Sequence, residues 1–270
     1  MRILLSNDDG VEAPGLRALV TALGAEHELT VVAPRDEQSA KSHALTLYEP
    51  LRVEPWTPRE AAGAPARWFA VRGTPADCVY LGVHTLLDAR PDLVLSGINW
   101  GTNLGDDVHY SGTVAAAMEG ALIGIPAIAI SLGTGDRDPG DPHWDVAALL
   151  TRQVIASLAA DPLPAHTFLN LNVPGRPMDQ IQGLKVVPMG KRYYHPMAQL
   201  NRDPRGKAWY WIGGGHDRFE AWPSDQDPDA ADGGRDGWWF ERGYATLTPL
   251  HPDMTARAAM AQVSRWKIIP

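Results

Sequence analysis

The chain has 270 residues, 44% of them hydrophobic, which is enough for a sizeable core without cross-links. Its single cysteine, Cys78, excludes an intramolecular disulfide and a multi-cysteine zinc site, and it fits a reducing, cytoplasmic setting. The formal net charge of -8 argues against a protein that coats nucleic acid, and no apolar segment is long enough to span a bilayer or serve as a signal-peptide core.

In chain order, short apolar runs at Ile3 to Ser6, Leu29 to Ala33, Leu93 to Ser96, Ala127 to Ser131 and Phe168 to Asn172 read as buried strands. Helical patterns separate them near Pro14 to Gly24, Pro75 to Leu87, Val114 to Ile123 and Trp144 to Ala159. This alternation predicts an α/β fold, a mostly parallel sheet covered by helices on both faces. From about Leu184 the pattern changes. Val186 to Met189 reads as a further strand, and residues 190 to 222 as an extended hairpin turning at Asp203-Pro204-Arg205-Gly206 and returning over Ala208 to Ile212. Pro223 to Gly237, with five aspartates, reads as a solvated loop. Trp238 to Phe240 and Tyr244 to Thr248 read as a second strand pair, and the tail from Asp253 begins as a helix. Six of the ten tryptophans fall after residue 208, which points either to a partner surface, most simply another subunit, or to packing on the parent domain.

Chemistry concentrates first at Asn7-Asp8-Asp9-Gly10. Adjacent carboxylates at the carboxyl end of a strand lie where open α/β sheets place ligands. They repel unless a cation or substrate offsets them, and hard cations such as Mg²⁺, Mn²⁺ or Ca²⁺ prefer oxygen donors. The local alternative is that one aspartate caps the following helix. The second concentration is Ser96-Gly97-Ile98-Asn99-Trp100-Gly101-Thr102-Asn103-Leu104-Gly105, which runs on to Tyr110-Ser111-Gly112-Thr113 at a helix start. There, backbone N–H groups and the hydroxyls of Ser111 and Thr113 can hold a phosphate, and Asn99 offers an amide oxygen. Each also has a plain structural reading, as a cap or a turn residue.

These segments, with Glu37-Gln38-Ser39-Ala40, Arg72-Gly73-Thr74-Pro75-Ala76-Asp77-Cys78, Val114 to Gly120, Gly243-Tyr244 and Thr248-Pro249-Leu250, resemble the SurE family of metal-dependent nucleoside-monophosphate phosphatases. The resemblance covers nearly the whole chain. It implies a single domain over residues 1–270, with a Rossmann-like core to about residue 184, then a projecting hairpin and a C-terminal oligomerisation tail. It implies one divalent cation per subunit, Mg²⁺ or Mn²⁺ first and Ca²⁺ next, on Asp8, Asp9, Ser39 and Asn99. It implies a phosphate pocket of Asn7, Asn103, Ser111, Gly112 and Thr113, with Asp8 and Asp9 as the catalytic pair. The implied activity is hydrolysis of nucleoside 5′- and 3′-monophosphates, with short polyphosphate as a further substrate, by a homodimer or homotetramer that binds no membrane and no nucleic acid stably.

The chain departs from the family pattern at Ser39-Ala40-Lys41-Ser42-His43, where relatives often carry a glycine, and at Arg235-Asp236-Gly237-Trp238, where they usually carry Thr-Asp. Lys41 reads as solvent-facing. Asp106-Asp107 reads as a solvated acidic pair rather than a second metal site. His43 and His109 are proton-donor candidates or hydrogen-bonded loop residues, and Trp100 either stacks on a base or packs beneath its loop. Asp36, Glu37, Asp77 and Glu119 read as supporting or capping groups. The alternatives in function are a non-catalytic metal- and nucleotide-binding sensor and a metal-dependent glycosyltransferase. The latter is disfavoured by the lack of a second nucleotide-binding half.

Overall fold

The structure, a computed structural model, describes residues 1–60, 63–133, 142–193, 198–212, 220–221 and 234–266. In chain order the first elements are β1 (Arg2–Ser6), α1 (Pro14–Leu23), β2 (Glu28–Pro34), β3 (Val53–Pro55), β4 (Arg67–Val71), α2 (Pro75–Leu81) and β5 (Leu93–Trp100). Then come α3 (Gly112–Leu122), β6 (Ala127–Gly133), α4 (Trp144–Ala160), β7 (Phe168–Pro174), β8 (Leu184–Val186) and β9 (Arg192–Tyr193). The hairpin strands β10 (Ala198–Arg202) and β11 (Ala208–Ile212) follow, then β12 (Glu220–Ala221), α5 (Asp236–Glu241), β13 (Ala245–Leu250) and α6 (Arg257–Val263).

Nine strands form one sheet in the order β3-β4-β2-β1-β5-β6-β7-β13-β8. The run from β4 to β7 is parallel throughout, and antiparallel pairing enters at β3 with β4 and at β13 with β7. Period-two alternation sends Ile3 and Leu5 of β1 to one face and Leu4 to the other. The first face packs on Leu16, Leu19 and Val20 of α1 and on Val146, Leu150 and Val154 of α4. The second packs on Cys78 and Val79 of α2 and on Val114, Ala117 and Ala121 of α3. The near-continuous apolar reading of β1 and β5 follows from burial on both faces. Each fully buried aliphatic side chain in these layers contributes roughly 1.5–3 kcal/mol. The three-layer α/β architecture is therefore the one expected.

Several elements differ from expectation. Strands β3 and β4 are additional: Arg67-Trp68-Phe69-Ala70-Val71 opens on a charged residue and lacks the aliphatic run that marks the other strands. Helix α2 stops at Leu81 and continues as a wider π turn over Gly82–Leu86. Trp238 to Phe240 lies in α5 rather than in a strand. Aromatic strand propensity yields there to a short helix that starts at Asp236 and ends before Gly243, whose φ is +84°. The strand expected at Val186 to Met189 pairs over Leu184–Val186, and β13 matches the expected Tyr244 to Thr248 strand. The hairpin turn is where it was expected. There Asp203 Oδ1 accepts from the N–H groups of Arg205 and Lys207, each at 2.9 Å. Of the expected loop 223–237, residues up to 233 lie outside the described residues, as do 267–270 of the tail. No helix among the described residues is long and apolar enough to cross a membrane.

Candidate functional site

Strands β1 and β5 end side by side, with Ser6 opposite Ser96. The chain leaving β1 turns through Gly10 at φ +99°, held by Asn7 Nδ2 donating to the Gly10 carbonyl at 2.9 Å. Asn7 Oδ1 is buried and has no hydrogen-bond partner among the described residues. Helix α1 opens with Ala13 at its N-cap and no side-chain cap, so neither Asp8 nor Asp9 serves the helix that follows.

Asp8 is 4% exposed. Its Oδ2 accepts from Thr113 N at 3.1 Å, and its Oδ1 accepts a short bond from Thr113 Oγ1. The close approach of α3 depends on Gly112, because a Cβ there would lie 2.8 Å from Asp8 Cβ and 2.9 Å from Asp8 Oδ2. Asp9 Oδ2 accepts from Trp100 N at 3.0 Å, which places Asp9 beside Asn99. Asn99 Nδ2 donates to the Gly101 carbonyl at 2.9 Å, leaving its Oδ1 to accept. A bulge in β5 aims this segment: Ser96 pairs Ala129 but Asn99 pairs Ser131. Gly97 makes the bulge feasible, since its φ is +137° and a Cβ would lie 2.3 Å from Ile130 O.

The Ser39 loop is stitched to the same place. Gln38 N donates to the Asp8 carbonyl at 2.8 Å, and exposed Ser39 donates to Glu37 at 2.7 Å, keeping its own oxygen lone pairs. Farther along, Ser42 donates to the carbonyls of Tyr110 and His109, and His43 Nε2 meets buried Glu119 at 2.7 Å. Thr46 donates twice to Asp77, which also completes a capping box with Thr74 at α2. Asp77 and Glu119 are thus supporting groups, and Lys41 is exposed, as expected.

Burial pushes the Asp8 carboxyl up, against the pull of its Thr113 bonds. Burial, and then the charge of Asp8, push Asp9 up to about 7. Neither forms an ion pair among the described residues, so a bound cation would relieve both. Asp8, Asp9, Ser39 and Asn99 offer only oxygen, and the described residues hold no group of three or more His, Cys, Asp or Glu suited to a metal. The donors present fit a hard divalent cation rather than a soft one.

A family model described as survival protein SurE matches residues 3–196. The chain belongs to the SurE family. The 5'-nucleotidase SurE of Nitrosococcus oceani is 45% identical over 98% of this chain and 97% of its own length. The 5'/3'-nucleotidase SurE of Serratia proteamaculans is 47% identical over 98% and 96%. The crystal structure of the SurE protein from Aquifex aeolicus superposes with a TM-score of 0.77 at 37% identity, covering 98% of both chains.

Within this SurE-family fold the remaining expected residues divide. Ser111 is the N-cap of α3, its oxygen accepting from Val114 N at 3.1 Å, which leaves its O–H to donate. Asn103 is buried in a polar layer behind the crevice: its Nδ2 donates to Ser131, its N–H donates to Asn172, and its carbonyl accepts from Asn170 and Asn172. Trp100 is 45% exposed and tilts against Trp144 at 5.6 Å, so it packs on one side and stays open on the other. His109 is exposed. Asp107 is not solvated as expected but buried against Arg192, and Asp106 accepts from Arg192 N at 3.1 Å. Sequence reasoning missed Asn170, Asn172 and Ser131, and the role of Asp236. The only signal was polarity at Asn170, Asn172 and Ser131 inside otherwise apolar strands.

Proposed function

We propose that this chain is a metal-dependent phosphomonoesterase that hydrolyses nucleoside 5′- and 3′-monophosphates to nucleoside and phosphate, with short polyphosphate as a further substrate. The carrying observation is an adjacent pair of carboxylates, buried Asp8 and half-buried Asp9, with no compensating cation among the described residues and with Asp8 set against the N-terminal turn of α3. The relatives named as nucleotidases support the same reading, and the sensor alternative is not favoured.

Asp8, Asp9, Ser39 and Asn99 would hold one divalent cation, Mg²⁺ or Mn²⁺ before Ca²⁺. When bound it supplies charge neutralisation at a phosphoryl oxygen and orientation for in-line displacement. The chain's own groups do the rest. The Ser111 hydroxyl, whose O–H is left to donate, suits a remaining phosphoryl oxygen at the α3 N-terminus, helped by the helix dipole, while Thr113 serves the same pocket by holding Asp8. We assign buried Asn7 and the Asn103 layer behind the crevice to the back of this pocket, and Gly112 leaves the space. Thr113 fixes the Asp8 carboxyl so that it meets the phosphorus or the attacking water in one orientation. We assign nucleophile or general acid–base duty to Asp8 and chiefly ligand duty to Asp9. Burial pushes the Asp8 carboxyl up from its ordinary value, which favours its proton-carrying form more than in an exposed aspartate.

We further propose that residues 1–270 act as one SurE-like unit, with the core to about residue 184. The exposed aromatics Trp209, Trp211 and Trp266 then cover one another between subunits of a homodimer or homotetramer. A cytoplasmic location suits the single buried, unbridged Cys78. The test is a phosphate-release screen over mono- and polyphosphates with Mg²⁺, Mn²⁺ and Ca²⁺. Release from nucleoside monophosphates that stops on chelation is expected, and the absence of any release would overturn the reading.

A further inference from the structure

Among the described residues, the most buried acid outside the site is Asp236, at 0% exposure. Its Oδ2 accepts from Gly105 N at 2.8 Å, and its Oδ1 accepts from Gly190 N and Gly237 N, both at 2.7 Å. One carboxylate therefore joins three chain segments: the loop after β5, the segment leaving β8, and the start of α5. The first two segments touch, since a Cβ on Gly105 would lie 3.0 Å from the Gly190 carbonyl, and a Cβ on Gly190 would lie 2.8 Å from Asp236 Oδ1. A second tie stands beside this one. Arg192 Nη1 donates to Thr102 Oγ1 at 3.2 Å and pairs with Asp107, whose Oδ2 accepts from Leu104 N at 3.2 Å. The Arg192 N–H donates to Asp106 Oδ2 at 3.1 Å.

Apart from the Gly190 and Gly237 bonds that anchor Asp236 itself, these bonds all end on residues 102–107, between Asn99 and the Ser111 cap. The loop's own hold on the core is the Asn103 layer, whose polar partners lie on β6 and β7. We propose that Asp236 and Arg192 are positioning residues that clamp the 102–107 loop, and through it Asn103 and Ser111 to Thr113, in the geometry that receives the phosphoryl group. The proposal rests on the reading of the site as a phosphomonoesterase. The physical argument is that three N–H donors converging on a desolvated carboxylate are held far more tightly than loop amides facing water. Supporting partners of this kind commonly carry effects of ~10- to 100-fold on the groups they orient.

The experiment uses the full chain and the variant Asp236→Asn, which keeps the shape but turns one acceptor oxygen into an NH₂ facing an N–H. Arg192→Met breaks the second tie and serves if the first variant does not fold. Three quantities are read: amide exchange at Gly105, Mn²⁺ affinity without substrate, and kcat and KM for adenosine 5′-monophosphate. The expected result in either variant is Gly105 exchange faster by at least ~10-fold and kcat/KM lower by ~10- to 100-fold, mostly through KM, with Mn²⁺ affinity changed less than about threefold. A merely structural role would lower Mn²⁺ affinity and kcat/KM together. That outcome overturns the proposal, as does a deprotected Gly105 with unchanged KM, or unchanged exchange at Gly105. If the wild-type chain releases no phosphate, the activity reading fails. The clamp is then decided by Gly105 exchange and by the affinity for inorganic phosphate, which must weaken about tenfold in the variants.

Discussion

The chain carries two aspartate doublets, Asp8–Asp9 and Asp106–Asp107, and their surroundings divide them. Asp8 and Asp9 leave a central strand into a crevice, take hydrogen bonds from Thr113 and Trp100, and meet no cation among the described residues. Asp106 and Asp107 sit on a loop where Lys191 and Arg192 reach both of them. The first pair keeps its mutual repulsion, while the second has it neutralised by the neighbouring segment. Adjacency of two acids is thus not the signal of a cation site. The signal is adjacency together with burial and the lack of a compensating charge.

The sharpest way to break this contrast is to neutralise each doublet. Asp8→Asn should lower phosphate release by ~10³-fold or more, the scale of losing one dominant charge-bearing group in an active site, with the circular dichroism of the core unchanged. Chelation followed by dialysis should abolish release in the wild-type chain, and Mn²⁺ or Mg²⁺ should restore it. Asp106→Asn should change release less than about threefold, since an amide oxygen can still accept from the Arg192 N–H and the lost charge faces only exposed Lys191. Equal losses at the two positions would dissolve the distinction.

The next effect concerns stability against pH. Asp9 titrates near 7 in the folded chain against an ordinary value of 3.8, raised by burial and then by Asp8. Between about pH 4 and pH 7 the folded metal-free chain therefore binds more protons than the unfolded chain. Its stability should fall as pH rises through that window, by at most about 4 kcal/mol. Asp9→Asn should flatten the dependence and raise the metal-free melting temperature at neutral pH, and a saturating cation should do the same to the wild type. Scanning calorimetry from pH 4 to 8 reads both, and a stability that rises across the window would refute the assignment of Asp9.

Somewhat smaller is the cost of unpairing the second doublet. Asp107→Asn leaves the Arg192 guanidinium, itself largely buried, without its carboxylate, and should cost about 3 kcal/mol in denaturant unfolding. Asp106→Asn should cost well under 1 kcal/mol. The smallest expected effect is on substrate choice. Trp100 offers one exposed ring face and no paired polar groups for a base, so kcat/KM should differ by only ~10-fold among nucleoside monophosphates.

Much of this was legible in the sequence because it rests on local pattern. The central strands announce themselves as apolar runs, since burial on both faces leaves no polar alternation to interpret, and Asp8–Asp9 stands out at the end of the first. Ser39 was legible only through resemblance to the SurE family, because nothing in a polar loop singles out one serine. Trp238 to Phe240 misled, since three consecutive aromatics favour a strand while the structure places them in a short helix opened by Asp236. Asp236 was marked by resemblance, at the family's Thr-Asp position, but its role lay hidden. Its partners are backbone amides of glycines 131 and 46 positions away, and an amide has no sequence signature.

The order of the sheet has a consequence for how the molecule is made. Strands β1 to β7 finish at residue 174 and already bring Asp8, Asp9, Ser39, Asn99 and Thr113 to the same end of the sheet. Strand β13 then slides in antiparallel beside β7, and α5 delivers Asp236 just ahead of it. As a nascent chain emerges N-terminus first, the groups proposed to hold the phosphate exist well before the segment proposed to brace them. On those two proposals, a chain interrupted near residue 230 would carry every assigned ligand and still lack the brace, and completion of synthesis itself would set the moment at which the crevice becomes rigid.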